Sequence, residues 1–164
     1  MIAMGHAAGD DDWMPLADAC VAAIGDAQPD AVSYTHLRAH GDARPDEGED
    51  AVGFLFASDM FAPELDAIVA YLGAATGIAD WIGTCGAGVL GGTREHFDEP
   101  ALVAMAAGFP RGAWRLLPPG SDDAAAAEVA RWAAARAPCT AIVHGDARDP
   151  ALGDRLGELA DLGA

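Results

Sequence analysis

Ala51-Val52-Gly53-Phe54-Leu55-Phe56-Ala57 forms a compact apolar block that stops at Ser58-Asp59, and a helical pattern follows from Pro63 to about Leu72. A short block of this kind, bounded by turn residues, reads as a buried strand leading into a helix. Other segments extend the theme. Asp80-Trp81-Ile82-Gly83-Thr84-Cys85 reads as a strand entering a glycine cluster, and Ala101–Ala107 and Ala113–Leu117 read as two more strands. Three strands with no helix between them predict hairpin-like antiparallel neighbours.

Helices flank these strands. Trp13, Leu16, Ala17, Cys20, Val21 and Ile24 recur at helical spacing, with Asp12 placed to cap the start and Gly25 the end. Ser121 is placed to cap an Ala-rich helix to about Arg136, Thr140–His144 returns as a strand, and Pro150 opens a last helix. The predicted fold is α/β: a mixed parallel and antiparallel sheet with helices packed on it, α+β in strict terms.

One segment breaks the pattern. Val32-Ser33-Tyr34-Thr35-His36-Leu37-Arg38-Ala39-His40 has no period and reads like translated adapter DNA from a sequencing library. Asp30-Ala31-Val32 recurs as Asp50-Ala51-Val52, as if residues 33–50 were a foreign insertion ahead of the first strand. The other reading is a surface loop of Gly, Asp and Pro from Gly41 to Asp50. Neither gives His36 or His40 a function.

A chain of 164 residues fits one domain, and folding at that size buries roughly 70% of the extended-chain surface. The whole of residues 1–164 is therefore expected to form a single domain. There are 26 acidic residues, nine arginines and no lysine, for a net charge of −17. Phosphate backbones and anionic lipid heads are repelled by such a surface, so neither nucleic acid nor membrane is an expected partner. Nor does any stretch approach the ~18 uncharged apolar residues of a spanning helix. Asp10-Asp11-Asp12 stands where a signal peptide would be basic. Cys20, Cys85 and Cys139 are too widely spaced for a disulfide framework or a zinc motif. These features predict a cytoplasmic protein without a cofactor.

Candidate chemistry concentrates between Trp81 and Ala101. Glycines there allow positive φ and close approach of a ligand, and successive N–H groups can cradle a carboxylate; the same glycines also suit tight turns. Gly86-Ala87-Gly88-Val89-Leu90-Gly91 matches GxGxxG, but Gly92, charged residues and Pro100 follow where a dinucleotide site needs a long helix. Cys85 with His96 offers a nucleophile and base, oriented by Asp98 or Glu99. Against that stands the commoner role of a strand cysteine as a small core residue. His6, His96 and His144 supply imidazoles for a metal, without the spacing of a known motif. His144-Gly145-Asp146 and Ser58-Asp59 end strands, where α/β sheets place ligand contacts, or else cap the helices that follow.

Gly83-Thr84-Cys85-Gly86-Ala87-Gly88-Val89-Leu90-Gly91, then Glu95, then Pro100-Ala101-Leu102-Val103-Ala104-Met105, resembles the signature of the N-terminal domain of the FIST (F-box and intracellular signal transduction) family. Val52–Asp59, Thr76-Gly77 and Val143–Asp146 match in the same order, so the resemblance runs from about Trp13 onward, outside 33–50. It implies an intracellular sensor of small ligands, with amino acids as the candidate class, coupled to a signalling output domain. By the same resemblance, Cys85, Gly86, Gly88, Gly91 and Glu95 are the expected ligand-binding residues, with Ser58, His144 and Asp146 beside them. Family members continue past the position of Ala164, which implies a truncated chain whose remaining part is itself a partner. The alternatives are a thiol-dependent enzyme using Cys85 and His96, and a scaffold without a ligand.

Overall fold

The computed structural model describes residues 2–9, 11–25, 49–118, 120–136, 138–146 and 148–162. They fall into two compact units, Met1–Ala113 and Trp114–Ala164. Residues 33–48 of the suspected insertion lie outside the described residues. Glu49 and Asp50 open the first long strand of the sheet.

The first unit contains β1 (Ile2–Ala8), α1 (Trp13–Gly25), β2 (Glu49–Ser58), a 3₁₀ helix (Asp59–Glu64), α2 (Leu65–Thr76), β3 (Asp80–Gly86), β4 (Gly88–Gly91), β5 (Arg94–Phe97) and β6 (Ala101–Pro110). Four strands form a sheet in the order β1-β6-β2-β3, and β4 and β5 form a separate hairpin. β6 is antiparallel to both β1 and β2, whereas β2 and β3 are parallel and joined through α2. β1, β2 and β3 therefore all point the same way, and their C-terminal ends share one edge. The mixed sheet agrees with the fold class read from the sequence.

Both helices pack on one face of the sheet. α1 buries Leu16, Ala17, Cys20 and Ile24, and α2 buries Ile68, Leu72 and Thr76, each set at helical spacing. They meet Ala3, Leu55, Ala57, Leu102, Ala104 and Ala106 of the sheet. Gly77 ends α2 in the left-handed conformation at φ 73, its N–H bonded to the Gly73 carbonyl, a conformation in which glycine pays no Cβ penalty. On the opposite face the hairpin's Val89 packs with Ala101, Val103, Ala8 and Phe56.

Burial on the helix face pushes the Cys20 thiol up from 9.0 to about 11. The folded state thus keeps its proton to higher pH than the unfolded chain does. That contribution is complete below pH 9 and is lost as pH rises through about 11, a change of about 3 kcal/mol. Urea midpoints measured across this range should fall more steeply for the wild type than for Cys20→Ala.

Several strand expectations are corrected. β3 and β6 are not neighbours, because β2 lies between them; the hairpin β4–β5 follows β3 instead. Residues 113–117 are irregular, beginning with a turn in which the Ala113 N–H bonds the Pro110 carbonyl. Residues 140–144 form no strand either. Their apolar composition suits a strand, but a strand exists only by hydrogen bonding to a neighbour, and Ile142 and Val143 instead stand exposed.

The second unit holds α3 (Asp123–Ala134) and α4 (Leu152–Leu162). Asp122, not Ser121, caps α3 by accepting the Ala125 N–H at 2.8 Å, while the Ser121 hydroxyl donates to the Pro118 carbonyl. Among the described residues no helix is long and apolar enough to cross a membrane.

Candidate functional site

The edge carrying the C-terminal ends of β1, β2 and β3 is where α/β sheets leave a crevice. β1 hands over to α1 through Gly9, whose N–H bonds the Pro100 carbonyl at 2.9 Å. β2 hands over to the 3₁₀ helix, which buries Phe61 and leaves Met60 exposed. Between these connections lies a cleft of about 500 Å³ lined by Asp11, Asp12, Trp13, Met60, Phe61, Glu64 and Pro100. Asp12 accepts the Met14 N–H at 3.0 Å, which fixes the start of α1. Trp13 is held edge-on against Tyr71, with ring centres 5.7 Å apart, and Tyr71 donates its hydroxyl hydrogen to Asp18.

Three carboxylates and an aromatic wall, with no basic residue in the lining, give this cleft a cation-attracting field and an apolar floor. Its aromatic and acidic groups come from the strand-to-helix connections after β1 and β2.

The glycine stretch lies nearby and forms the hairpin. Gly92 occupies the first central position of its two-residue turn with φ 61, as a type II′ turn requires. Gly91 lies against β1: a Cβ there would stand 2.5 Å from Cβ and Cγ of His6. The ring centres of His6 and His96 are 5.6 Å apart. His96 is buried, and its Nδ1 lies 2.7 Å from Glu99 Oε1.

A family model of the FIST N domain matches residues 51–161, which is most of the chain, from within β2 to within α4. The chain belongs to the FIST family. As a FIST N domain it is a sensory domain of signal transduction. The match confirms the resemblance and begins at Ala51, so β1 and α1, which supply His6 and Trp13, precede it. Comparison with curated proteins and with solved structures gave no match.

Within this FIST domain the residues singled out in the sequence occupy different places. Cys85 is half-buried on β3 and packs against the helix-side core. Burial, then the charge of Asp59, pushes its thiol above the ordinary cysteine value, which is the reverse of what a nucleophile needs. His96 sits on the hairpin, opposite Val89, which packs on the other face of the sheet. The Cys85–His96 dyad is therefore not formed, and the thiol-enzyme reading has no support in the geometry.

Ser58 is buried, and its hydroxyl accepts the Ala101 N–H at 3.0 Å, tying β2 to β6. Gly86 ends β3 opposite Ser58, and Gly88 faces Phe97 across the hairpin, where a Cβ would come within 2.8 Å of its ring. Glu95 is exposed on β5. No helix starts at Gly91, so the GxGxxG match is not a dinucleotide loop. His144 and Asp146 belong to the second unit. There Asp146 accepts from the Arg148 backbone and guanidinium, and this contact holds its carboxyl below the usual carboxylate value.

The sequence reading missed the cleft. Asp12 and Trp13 were visible as a helix start and Asp11 as part of an acidic run, and nothing in their spacing shows that Met60, Phe61 and Glu64 come to face them.

Proposed function

We propose that this FIST domain senses a small amine-bearing metabolite, amino acids among the candidates, in the cleft at the C-terminal edge of the sheet. The observation that carries this reading is the lining itself: Asp11, Asp12 and Glu64 beside Trp13, Met60 and Phe61. An ammonium group gains from the carboxylates and the Trp13 face, and the ligand's apolar part covers Met60 and Phe61. An isolated carboxylate would meet like charge, so the amine rather than the acid end would enter. Because α1 and the 3₁₀ helix each supply one wall, occupation would bias their relative position. That bias is the physical basis for a signal passed to an output domain or to another part of the same protein.

Thermal-shift measurements with pairs of ligands differing only in the amine test the reading. A ligand that binds the folded state alone raises the melting temperature by mass action. The amine-bearing member of a pair should raise it, the desamino member should not, and Trp13→Ala should abolish the shift while Glu95→Ala keeps it. Equal shifts from both members would refute the amine reading.

A further inference from the structure

His6 Nδ1 and His96 Nε2 are buried nitrogens without a hydrogen-bond partner among the described residues. Buried polar atoms are seldom left so, since an unmade hydrogen bond costs the full desolvation of the group. The rings carrying them are neighbours, with centres 5.6 Å apart and planes tilted by 45°. A carboxylate can only accept, so the 2.7 Å contact with Glu99 places a hydrogen on His96 Nδ1. With Nδ1 taken up by Glu99, Nε2, the atom with no partner, is the nitrogen left to offer a lone pair to a metal. Metal-binding imidazoles are oriented in this way, by a carboxylate on the second ring nitrogen.

We propose that His6 and His96 bind a divalent transition-metal ion of the zinc type, with Glu99 as the positioning residue for His96. An ion about 2.0–2.1 Å from each imidazole nitrogen leaves the two ring centres roughly 5–6 Å apart, in keeping with the separation found here. No group of three or more His, Cys, Asp and Glu side chains suited to a metal gathers among the described residues. The protein therefore supplies two ligands, and water or a small donor molecule completes the coordination. Two imidazoles suit Zn²⁺, Cu²⁺ and Ni²⁺ rather than Mg²⁺ or Ca²⁺, which prefer oxygen. The pair joins β1 to the hairpin, so the ion would clamp β5 onto the sheet.

The test is a calorimetric titration of the full chain with Zn²⁺, after chelator treatment, in a His36→Gln/His40→Gln background that removes the imidazole pair that is close in sequence. One ion per chain is expected. His6→Gln and His96→Gln should each weaken binding about tenfold or more, and Glu99→Gln by about 10- to 100-fold, while His144→Gln leaves it unchanged. Circular dichroism of each variant separates lost folding from lost ligation. For any variant that fails to fold, nitrogen-15 imidazole spectra of the same background with His6 and His96 intact replace it: Zn²⁺ should move His6 Nδ1 and His96 Nε2, and Glu99→Gln should alter the His96 tautomer signal. Absence of saturable Zn²⁺ binding, binding undiminished in His96→Gln, or unmoved imidazole signals would each overturn the proposal.

Discussion

Gly83→Ala should destabilise the first unit by more than about 3 kcal/mol, the upper range for forcing extra atoms into a packed site. Gly83 sits on β3 directly beside Leu55 of β2. A Cβ at Gly83 would stand 1.7 Å from the Leu55 carbonyl oxygen and 2.7 Å from its carbonyl carbon. These are backbone atoms of a central strand, held on its other side by β6, so no side-chain rotation relieves the clash. β3 must move away and give up part of its parallel ladder. A matched control is Gly153→Ala in α4, where nothing lies within 4 Å of the added carbon. It should gain stability, by up to about 1 kcal/mol, because alanine is the better helix former. Urea midpoints of the two variants decide the matter. A Gly83→Ala protein as stable as the wild type would contradict the close approach of β2 and β3.

The second large effect is expected for Leu72→Ala, at about 2–5 kcal/mol. Leu72 is fully buried, as is Ile68 one turn earlier on α2, and the pair fills the space between that helix and the sheet. Removing the isobutyl group loses its transfer free energy and leaves a cavity whose walls relax only in part. Leu90→Ala removes the same atoms from a side chain that is 73% exposed, and should change stability by less than about 0.5 kcal/mol. The contrast between the two leucines, read from denaturant midpoints, measures how well α2 is packed. A small loss at Leu72 would mean that the helix is not docked as described.

Elements with one strong apolar pattern were legible in the sequence. α1 and α2 were read close to their observed places because burial on one face fixes their residue spacing, and β2 and the core of β6 because burial on both faces leaves a continuous apolar run. β1 escaped notice because Ile2-Ala3-Met4-Gly5-His6-Ala7-Ala8 offers small residues in place of a clear alternation. Its strand character comes from pairing with β6, a partner almost a hundred positions away in the sequence. The residues 140–144 failed in the opposite sense, with strand-like composition but no ladder. Propensity for a strand records how well a side chain packs among neighbours, so it misleads wherever the neighbours are not known.

The site was less legible for the same reason. Glycines between Gly83 and Gly92 were read either as a ligand cradle or as turn formers, and neither reading showed that Gly83 and Gly91 are spaces demanded by Leu55 and by His6. No local spacing announces that requirement. The histidines were visible as types but not as a pair, since His6 and His96 lie on β1 and β5 and meet only after the hairpin folds over the sheet. In the cleft, Trp13 looked like an ordinary apolar position at a helix start. It is partly buried against Tyr71 and still lines the cavity.

The most direct test of the sensing site is a nitrogen-15 correlation spectrum of the full chain, titrated with an amine-bearing ligand taken from the thermal-shift pairs. Binding in the cleft should move the Trp13 indole N–H and the backbone signals of Asp12, Met60 and Phe61 together, saturating at one ligand per chain. The indole signals of Trp81 and Trp132 should stay in place. Saturable shifts confined to Gly86–Glu95, with the Trp13 indole unmoved, would contradict the cleft and return the ligand to the glycine hairpin.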